Sequence, residues 1–258
     1  MNPAAAKALR TLQSEFPHLK ETKDFFYYRV RKWLSIPHER DFEALRHLRV
    51  PEDRVLIDVG ANQGQSIESM SIYQPSARIV SFEPNANLAS KLQARYAQSR
   101  RVTVVARGLS DARGAFPLYV PSYKGFVYDG LASLDRKGAA FWINEQTVFG
   151  FDPARLAIDV LDCQISTLDA ERLAPFFIKV DVQGYEYNVL QGGIETLRKY
   201  EPVLLVESFG SDLRTVRLAE RLGYDEYNFD TGRLQRGSPR RSPNSFLITR
   251  RITSACPS

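Results

Sequence analysis

Thiols are almost absent from this sequence. Only Cys163 and Cys256 occur in 258 residues, the first in an apolar, strand-like run and the second close to the C-terminal end. That usage argues against a disulfide framework. Histidine is nearly as scarce, with His18, His38 and His47 all ahead of the first expected strand. No apolar run approaches the length of a membrane-spanning helix, and Met1 to Phe16 lacks the continuous apolar core of a signal peptide, so a cytoplasmic protein is expected. The phosphate-cradling pattern G-x-x-x-x-G-K-[ST] is also missing, which excludes a P-loop.

What is present is an ordinary globular composition, 43% apolar and 25% charged, in a chain long enough to bury one sizeable α/β core. The formal charge of +5 is uneven, because Arg233, Arg236, Arg240, Arg241, Arg250 and Arg251 form a C-terminal block. Such a block suits a noncatalytic polyanion- or membrane-associated binding module, or it is a solvated basic loop near the end of a sheet. Nucleic acid is not the expected partner.

From Val55 onward, short β-branched runs alternate with helical patterns, the mark of a parallel sheet with crossover helices. Strands are expected at Val55 to Val59, Arg78 to Phe82, Val102 to Ala106, Ala157 to Gln164, Phe177 to Val182 and Val203 to Glu207. Helices are expected at Gln65 to Tyr73, Leu88 to Gln98, Tyr185 to Tyr200 and Leu213 to Leu222. Tyr224 to Phe229 and Ser245 to Thr249 read as a terminal antiparallel hairpin. The fold class is therefore α/β, Rossmann-like and doubly wound, with a mostly parallel sheet ending in that antiparallel hairpin. Residues 1–50 are expected as a helical extension or lid, and 51–258 as the catalytic domain with an insertion at about 116–155. In the extension, Phe25 to Leu34 places Phe26, Val30 and Trp33 on one helical face, which either packs on the domain or leaves peripheral contact with the inner face of a membrane open.

The first strand runs into Asp58-Val59-Gly60-Ala61-Asn62-Gln63-Gly64. Gly60 permits a conformation or close approach that a side chain would block, and Gly64 lets the next helix pack closely. Asn62 replaces a glycine of the commoner form and tolerates the left-handed region. An acid two residues before the first glycine suits a ligand ammonium, whereas a pyrophosphate avoids a carboxylate and wants glycine where Gln65 stands. S-adenosylmethionine is thus expected rather than a nicotinamide dinucleotide. Glu83, closing the second strand, can accept both ribose hydroxyls. Ser110 and Asp111 either meet the adenine edge or form a loop turn.

Taken in order, Ile57 to Gly64, Phe82-Glu83-Pro84, Leu109-Ser110-Asp111, Thr167-Leu168-Asp169 and Ile178 to Glu186 resemble the FkbM-type methyltransferase family. The resemblance covers roughly Val55 to Glu207. It implies a class I methyltransferase fold with a seven-stranded sheet, S-adenosylmethionine as donor, and O-methylation of a sugar hydroxyl in a polysaccharide, glycolipid or glycosylated natural product. The acceptor partner is then a glycan or glycosylated small molecule. Pro37 to Phe42 is similar to an H-E-x-D-F segment of exopolysaccharide-associated members. Gln183 stands where many members carry glutamate.

Methyl transfer needs an aligned acceptor and, for a hydroxyl, a proton acceptor or a cation that lowers its pKa. Asp181, at the C-terminal end of a central strand, is the first candidate. Lys179 shares its face, either acting on substrate or orienting Asp181 as an ion pair. His38 is the histidine to test, and Glu186 and Glu207 are secondary candidates. Base N-methylation is disfavoured because Asp181-Val182-Gln183-Gly184 replaces the Pro-Pro-aromatic pattern. Carbon-5 methylation of pyrimidines lacks its Pro-Cys motif. A divalent metal is compatible with Asp181 and a second carboxylate, but no compact ligand cluster requires it. The oligomeric state is not readable.

Overall fold

The structure, a computed structural model, describes residues 3–16, 36–207, 209–210, 212–230, 232–237 and 242–250. The helix expected at Phe25 to Leu34, and Arg240, Arg241, Arg251 and Cys256, lie outside the described residues. Two compact units are formed, Ser35–Ala115 with Gln164–Ser258, and Met1–Leu34 with Phe116–Cys163.

In chain order the strands are β1 (Val55–Val59), β2 (Arg78–Phe82), β3 (Val102–Val105), β4 (Gly108–Leu109), β5 (Gly114–Tyr123), β6 (Phe126–Val127), β7 (Leu156–Ser166), β8 (Pro175–Val180), β9 (Val203–Glu207), β10 (Tyr224–Asp230), β11 (Arg233–Arg236) and β12 (Asn244–Thr249). The α-helices are α1 (Pro3–Glu15), α2 (Gln65–Tyr73), α3 (Ala86–Tyr96), α4 (Arg136–Phe141), α5 (Glu186–Gln191), α6 (Ile194–Tyr200) and α7 (Leu213–Arg221).

The larger unit holds a mixed eight-stranded sheet in the order β11-β10-β12-β9-β8-β1-β2-β3. β1 is buried along its whole length, as a parallel strand covered on both faces must be. It pairs in parallel with β2 and with β8, so the chain steps from β1 to one side and resumes on the other. That reversal opens a crevice at the carboxyl ends of β1 and β8, where ligands bind in open α/β sheets. The terminal hairpin supplies β10 and β12, with β12 antiparallel to both β9 and β10. The eighth strand is β11, drawn from the arginine-rich stretch. It pairs antiparallel with β10 beyond Gly232, whose φ of +83° suits a tight turn.

Alternation along the strands divides the core in two. Leu56, Phe177, Leu205 and Phe246 face Phe42 and Leu45 of a 3-10 helix (Arg40–His47) and Ile67 and Met70 of α2. Ile57, Ile178, Val180 and Leu204 face Val189, Leu197 and Leu218 of α5, α6 and α7. Burying a side chain of this size contributes roughly 1.5–3 kcal/mol, so these two layers hold the sheet.

Two expected elements differ. The single helix read at Tyr185 to Tyr200 is split at Gly192-Gly193, two adjacent poor helix formers, and the chain there runs so close to the Ser110 backbone that a Cβ on Gly192 would overlap the Ser110 carbonyl oxygen. The Asp169 carboxylate restarts the helix by accepting from the backbone N–H groups of Glu195 and Thr196, at 3.2 and 2.7 Å. The strand read at Ala157 to Gln164 exists as β7, but it belongs to a second sheet of order β4-β7-β5-β6. Its apolar run indicated a strand and carried no information about which sheet it joins.

In the smaller unit, the aromatic-rich stretch without clear period builds its own core from Tyr123, Phe126, Tyr128, Ile143 and Val148. Lys124 ties this core to α1 through Glu15, at 2.6 Å. Among the described residues, no helix is long and apolar enough to cross a membrane. The described arginines of the C-terminal block are partly neutralised, since Arg236 and Arg250 both reach Asp225, at 2.7 and 3.4 Å.

Candidate active site

The turn after β1 is built by backbone. The N–H groups of Gly60 and Ala61 both donate to the Phe82 carbonyl at 3.0 Å, bending the chain over the end of β2. Gly60 sits at φ +91°, and a Cβ there would overlap the Asp181 carbonyl oxygen, so the turn and the end of β8 touch only because this residue is glycine. Asn62 occupies the left-handed region at φ +47°, and Gly64 caps α2. Glu83 braces the turn: its two carboxylate oxygens accept from the Asn62 and Asn85 backbone N–H groups, at 2.6 and 2.8 Å. Asn85 in turn caps α3 through its side chain.

Beneath the turn, Asp58 is fully buried. One oxygen accepts from Ser81 Oγ at 2.8 Å, while Oδ1 has no hydrogen-bond partner. Burial pushes its pKa up to about 6, against the Ser81 hydrogen bond and the charge of Lys179. A buried carboxylate oxygen without a donor is costly, and a ligand ammonium is the group that would satisfy it.

Beside Asp58 in the parallel register stands Lys179, also fully buried. Its ammonium donates to Asn244 Oδ1 at 3.1 Å and lies 3.7 Å from Asp181 Oδ2. Burial works against its charge, but Asp181, Glu39, Glu207 and Asp58 together hold its pKa above the ordinary lysine value. Asn244 is itself clamped, donating through Nδ2 to Glu39 Oε2 at 2.9 Å and to Asp41 Oδ2 at 3.0 Å. Asp41 also accepts from the Ser242 hydroxyl. Thus the segment before the 3-10 helix, the end of β8 and the start of β12 converge on one lysine.

Asp181 keeps about a third of its side chain open to solvent. Burial raises its pKa, yet Lys179 and hydrogen bonds from Glu207 and Gln183 hold it below the ordinary carboxylate value. Glu207, reached because β8 and β9 run in register, is pushed up to about 8 by burial and then by the hydrogen bond and charge of Asp181. The Gln183 amide bridges the two, donating through Nε2 to Asp181 Oδ1 at 3.0 Å and Glu207 Oε2 at 3.1 Å. Glu186 faces the loop backbone instead, accepting from the N–H groups of Val182 and Gly184, at 3.3 and 3.1 Å.

The structure therefore gathers Asp58, Gly60, Ala61, Asn62, Gly64 and Glu83 around one turn and sets Lys179 and Asp181 beside it. Ser110 is buried with its hydroxyl on Asp111 at 3.1 Å, and it follows the separate short strand β4 rather than the end of β3. His38 is exposed and tied through its backbone N–H to Ser69 Oγ at 2.8 Å. The residues that sequence reasoning missed are Glu39, Asp41, Ser242 and Asn244. The H-E-x-D-F segment was the available signal for the first two. For Asn244 and Ser242 there was none, since they look like ordinary loop and strand-entry residues. Among the described residues no group of three His, Cys, Asp or Glu side chains is placed to hold a metal ion.

The model of the methyltransferase FkbM domain matches residues 58–225, which takes in this turn, the end of β8 and the start of β10. The chain belongs to the FkbM methyltransferase family. This FkbM chain is 33% identical over 170 residues to the AMB antimetabolite synthetase AmbE of Pseudomonas aeruginosa, covering 55% of this chain and 8% of that protein. It is 26% identical over 148 residues to the 2-O-methyltransferase NoeI of Sinorhizobium fredii, covering 57% of this chain and 60% of that one. The chain thus spans less than two thirds of the length of either relative. A crystal structure of the methyltransferase FkbM from Methylobacillus flagellatus superposes with a TM-score of 0.49 at 18% identity, covering 81% of this chain and 48% of that one.

The FkbM domain is an S-adenosylmethionine-dependent methyltransferase domain, and the residues fit that donor. The orphaned Asp58 oxygen suits its ammonium.

Proposed function

We propose that the chain methylates a hydroxyl group of a sugar, in a polysaccharide, a glycolipid or a glycosylated natural product. The observation that carries this reading is the half-open Asp181–Glu207–Gln183 group, held against Gly60 at the switch point of the sheet. A polyol acceptor offers hydroxyl donors, and this group offers carboxylate acceptors. The similarity to NoeI, a 2-O-methyltransferase, supports oxygen as the atom methylated.

Bound S-adenosylmethionine supplies an electrophilic methyl group. The protein's own residues do the remaining work. Asp58 and Glu83 hold the donor, and the Gly60 turn brings it to the end of β8. Asp181 orients the acceptor hydroxyl. Lys179 keeps Asp181 ionised, and Asn244, anchored by Glu39 and Asp41, fixes Lys179. His38 enters this scheme only through its neighbour Glu39, and His38→Ala is the direct test of a role for the imidazole.

The test is transfer of a labelled methyl group from S-adenosylmethionine to a panel of free, nucleotide-linked and lipid-linked sugars, with amines and phenols as contrasts. Transfer to amines or phenols but to no sugar hydroxyl would overturn the reading. Calorimetry with S-adenosylhomocysteine checks the pocket separately: Glu83→Ala should weaken binding at least tenfold, and unchanged affinity would remove Glu83 from it.

A further inference from the structure

We propose that the acceptor's proton is taken by a coupled Asp181–Glu207 carboxyl pair, with Glu207 rather than Asp181 alone supplying the basicity; this rests on the O-methylation reading above. The geometry joins the two groups. Asp181 and Glu207 stand at the ends of neighbouring parallel strands, and one amide nitrogen, Gln183 Nε2, bonds both at 3.0 and 3.1 Å. Gln183 reaches them from the left-handed region at φ +52°, a conformation that its loop must hold in place. Around the pair stand Lys179 on β8, Asp58 on β1, Glu39 before the 3-10 helix and Asn244 on β12.

Two carboxyls this close do not both ionise readily, so they hold one proton between them. The charges are unequally placed. Lys179 lies beside Asp181, at 3.7 Å, and stabilises its anion, which makes Asp181 by itself a weak base at neutral pH. Removal of the shared proton leaves a dianion whose proton affinity, near pH 8, is matched to base catalysis. As the acceptor O–CH3 bond forms and the S–CH3 bond breaks, the hydroxyl proton passes to this dianion. The pair then carries one proton, which returns to solvent before the next turnover. Gln183 lets the arrangement exist, since a carboxylate at that position would add a third negative charge where an amide now donates.

Two readouts test this. In the ligand-free protein with its glutamate carboxyl carbons labelled for NMR, one glutamate should titrate near pH 8. That signal should be missing in Glu207→Gln and should move toward the ordinary carboxylate range in Asp181→Asn. In turnover, the wild-type rate should rise roughly tenfold between pH 7 and pH 9, following the fraction of the pair that is deprotonated. Glu207→Gln should flatten that rise and lose at least tenfold at pH 9. The proposal is overturned if no glutamate titrates above pH 6.5, or if Glu207→Gln keeps the wild-type profile. If the wild type methylates no hydroxyl acceptor, the O-methylation reading fails and the base role fails with it. The NMR titration then still decides whether the two carboxyls share a proton.

Discussion

On the proposal that Asp58 receives the donor's ammonium, donor binding depends on pH in a direction that follows from the burial of this carboxyl. Ligand-free, it is fully buried with one oxygen unpartnered, and its pKa stands near 6. The ammonium of S-adenosylhomocysteine keeps its charge from pH 5 to 7, and beside Asp58 it favours the ionised carboxylate. Only the ionised form is competent to receive that cation. Its share is about one part in eleven at pH 5 and ten in eleven at pH 7, so the apparent affinity should rise about tenfold across that interval. The same shift has a consequence for stability. Because the folded-state pKa lies above the ordinary 3.8, the folded protein holds a proton that the unfolded chain lacks between pH 3.8 and 6. Ligand-free stability should therefore fall as pH rises through that window, by about 3 kcal/mol in total. Titration calorimetry in two buffers of different ionisation enthalpy measures both the affinity and the proton released. Asp58→Asn should bind more weakly and lose the pH dependence. An affinity that is flat from pH 5 to 7 in the wild type, with no proton released, would refute the assignment of Asp58 to the ligand ammonium.

Further outcomes follow from the same geometry. Gly60→Val places a side chain against the Asp181 carbonyl at φ +91°, and should cost at least about 1–3 kcal/mol in chemical denaturation as well as ligand binding. Asn244→Ala leaves Lys179, Glu39 and Asp41 short of a shared partner in a buried place. A loss of about 1–3 kcal/mol is expected, and an unchanged denaturation midpoint would show that the clamp is not structural.

The turn proposed to hold the donor was legible because its geometry is local. Asp58 to Gly64 is one continuous strand and turn, and Glu83 closes the adjacent strand, so hydrophobic period, an acid and two glycines were enough to place both at one crevice. The ordered motifs through Ile178 to Glu186 carried the family. The proposed acceptor half depended on contacts between distant segments. Period two could put Lys179 and Asp181 on one face, but it could not bring Glu39, Asp41 and Asn244 to Lys179 from opposite ends of the chain. Nor could it distinguish Asp181 alone from Asp181 hydrogen-bonded to Glu207, because a shared proton depends on burial and on the registration of two strands. The same limit explains β7, a strand evident from its apolar run whose sheet was decided by tertiary pairing. At Gly192-Gly193 the break was local, since two adjacent glycines are poor helix formers, and only the close approach of the Ser110 backbone to Gly192 needed the tertiary structure. Local pattern determined which residues form strands, turns and caps, since those depend on neighbours along the chain. The tertiary structure decided which charges share a buried space, since that depends on which strands lie side by side.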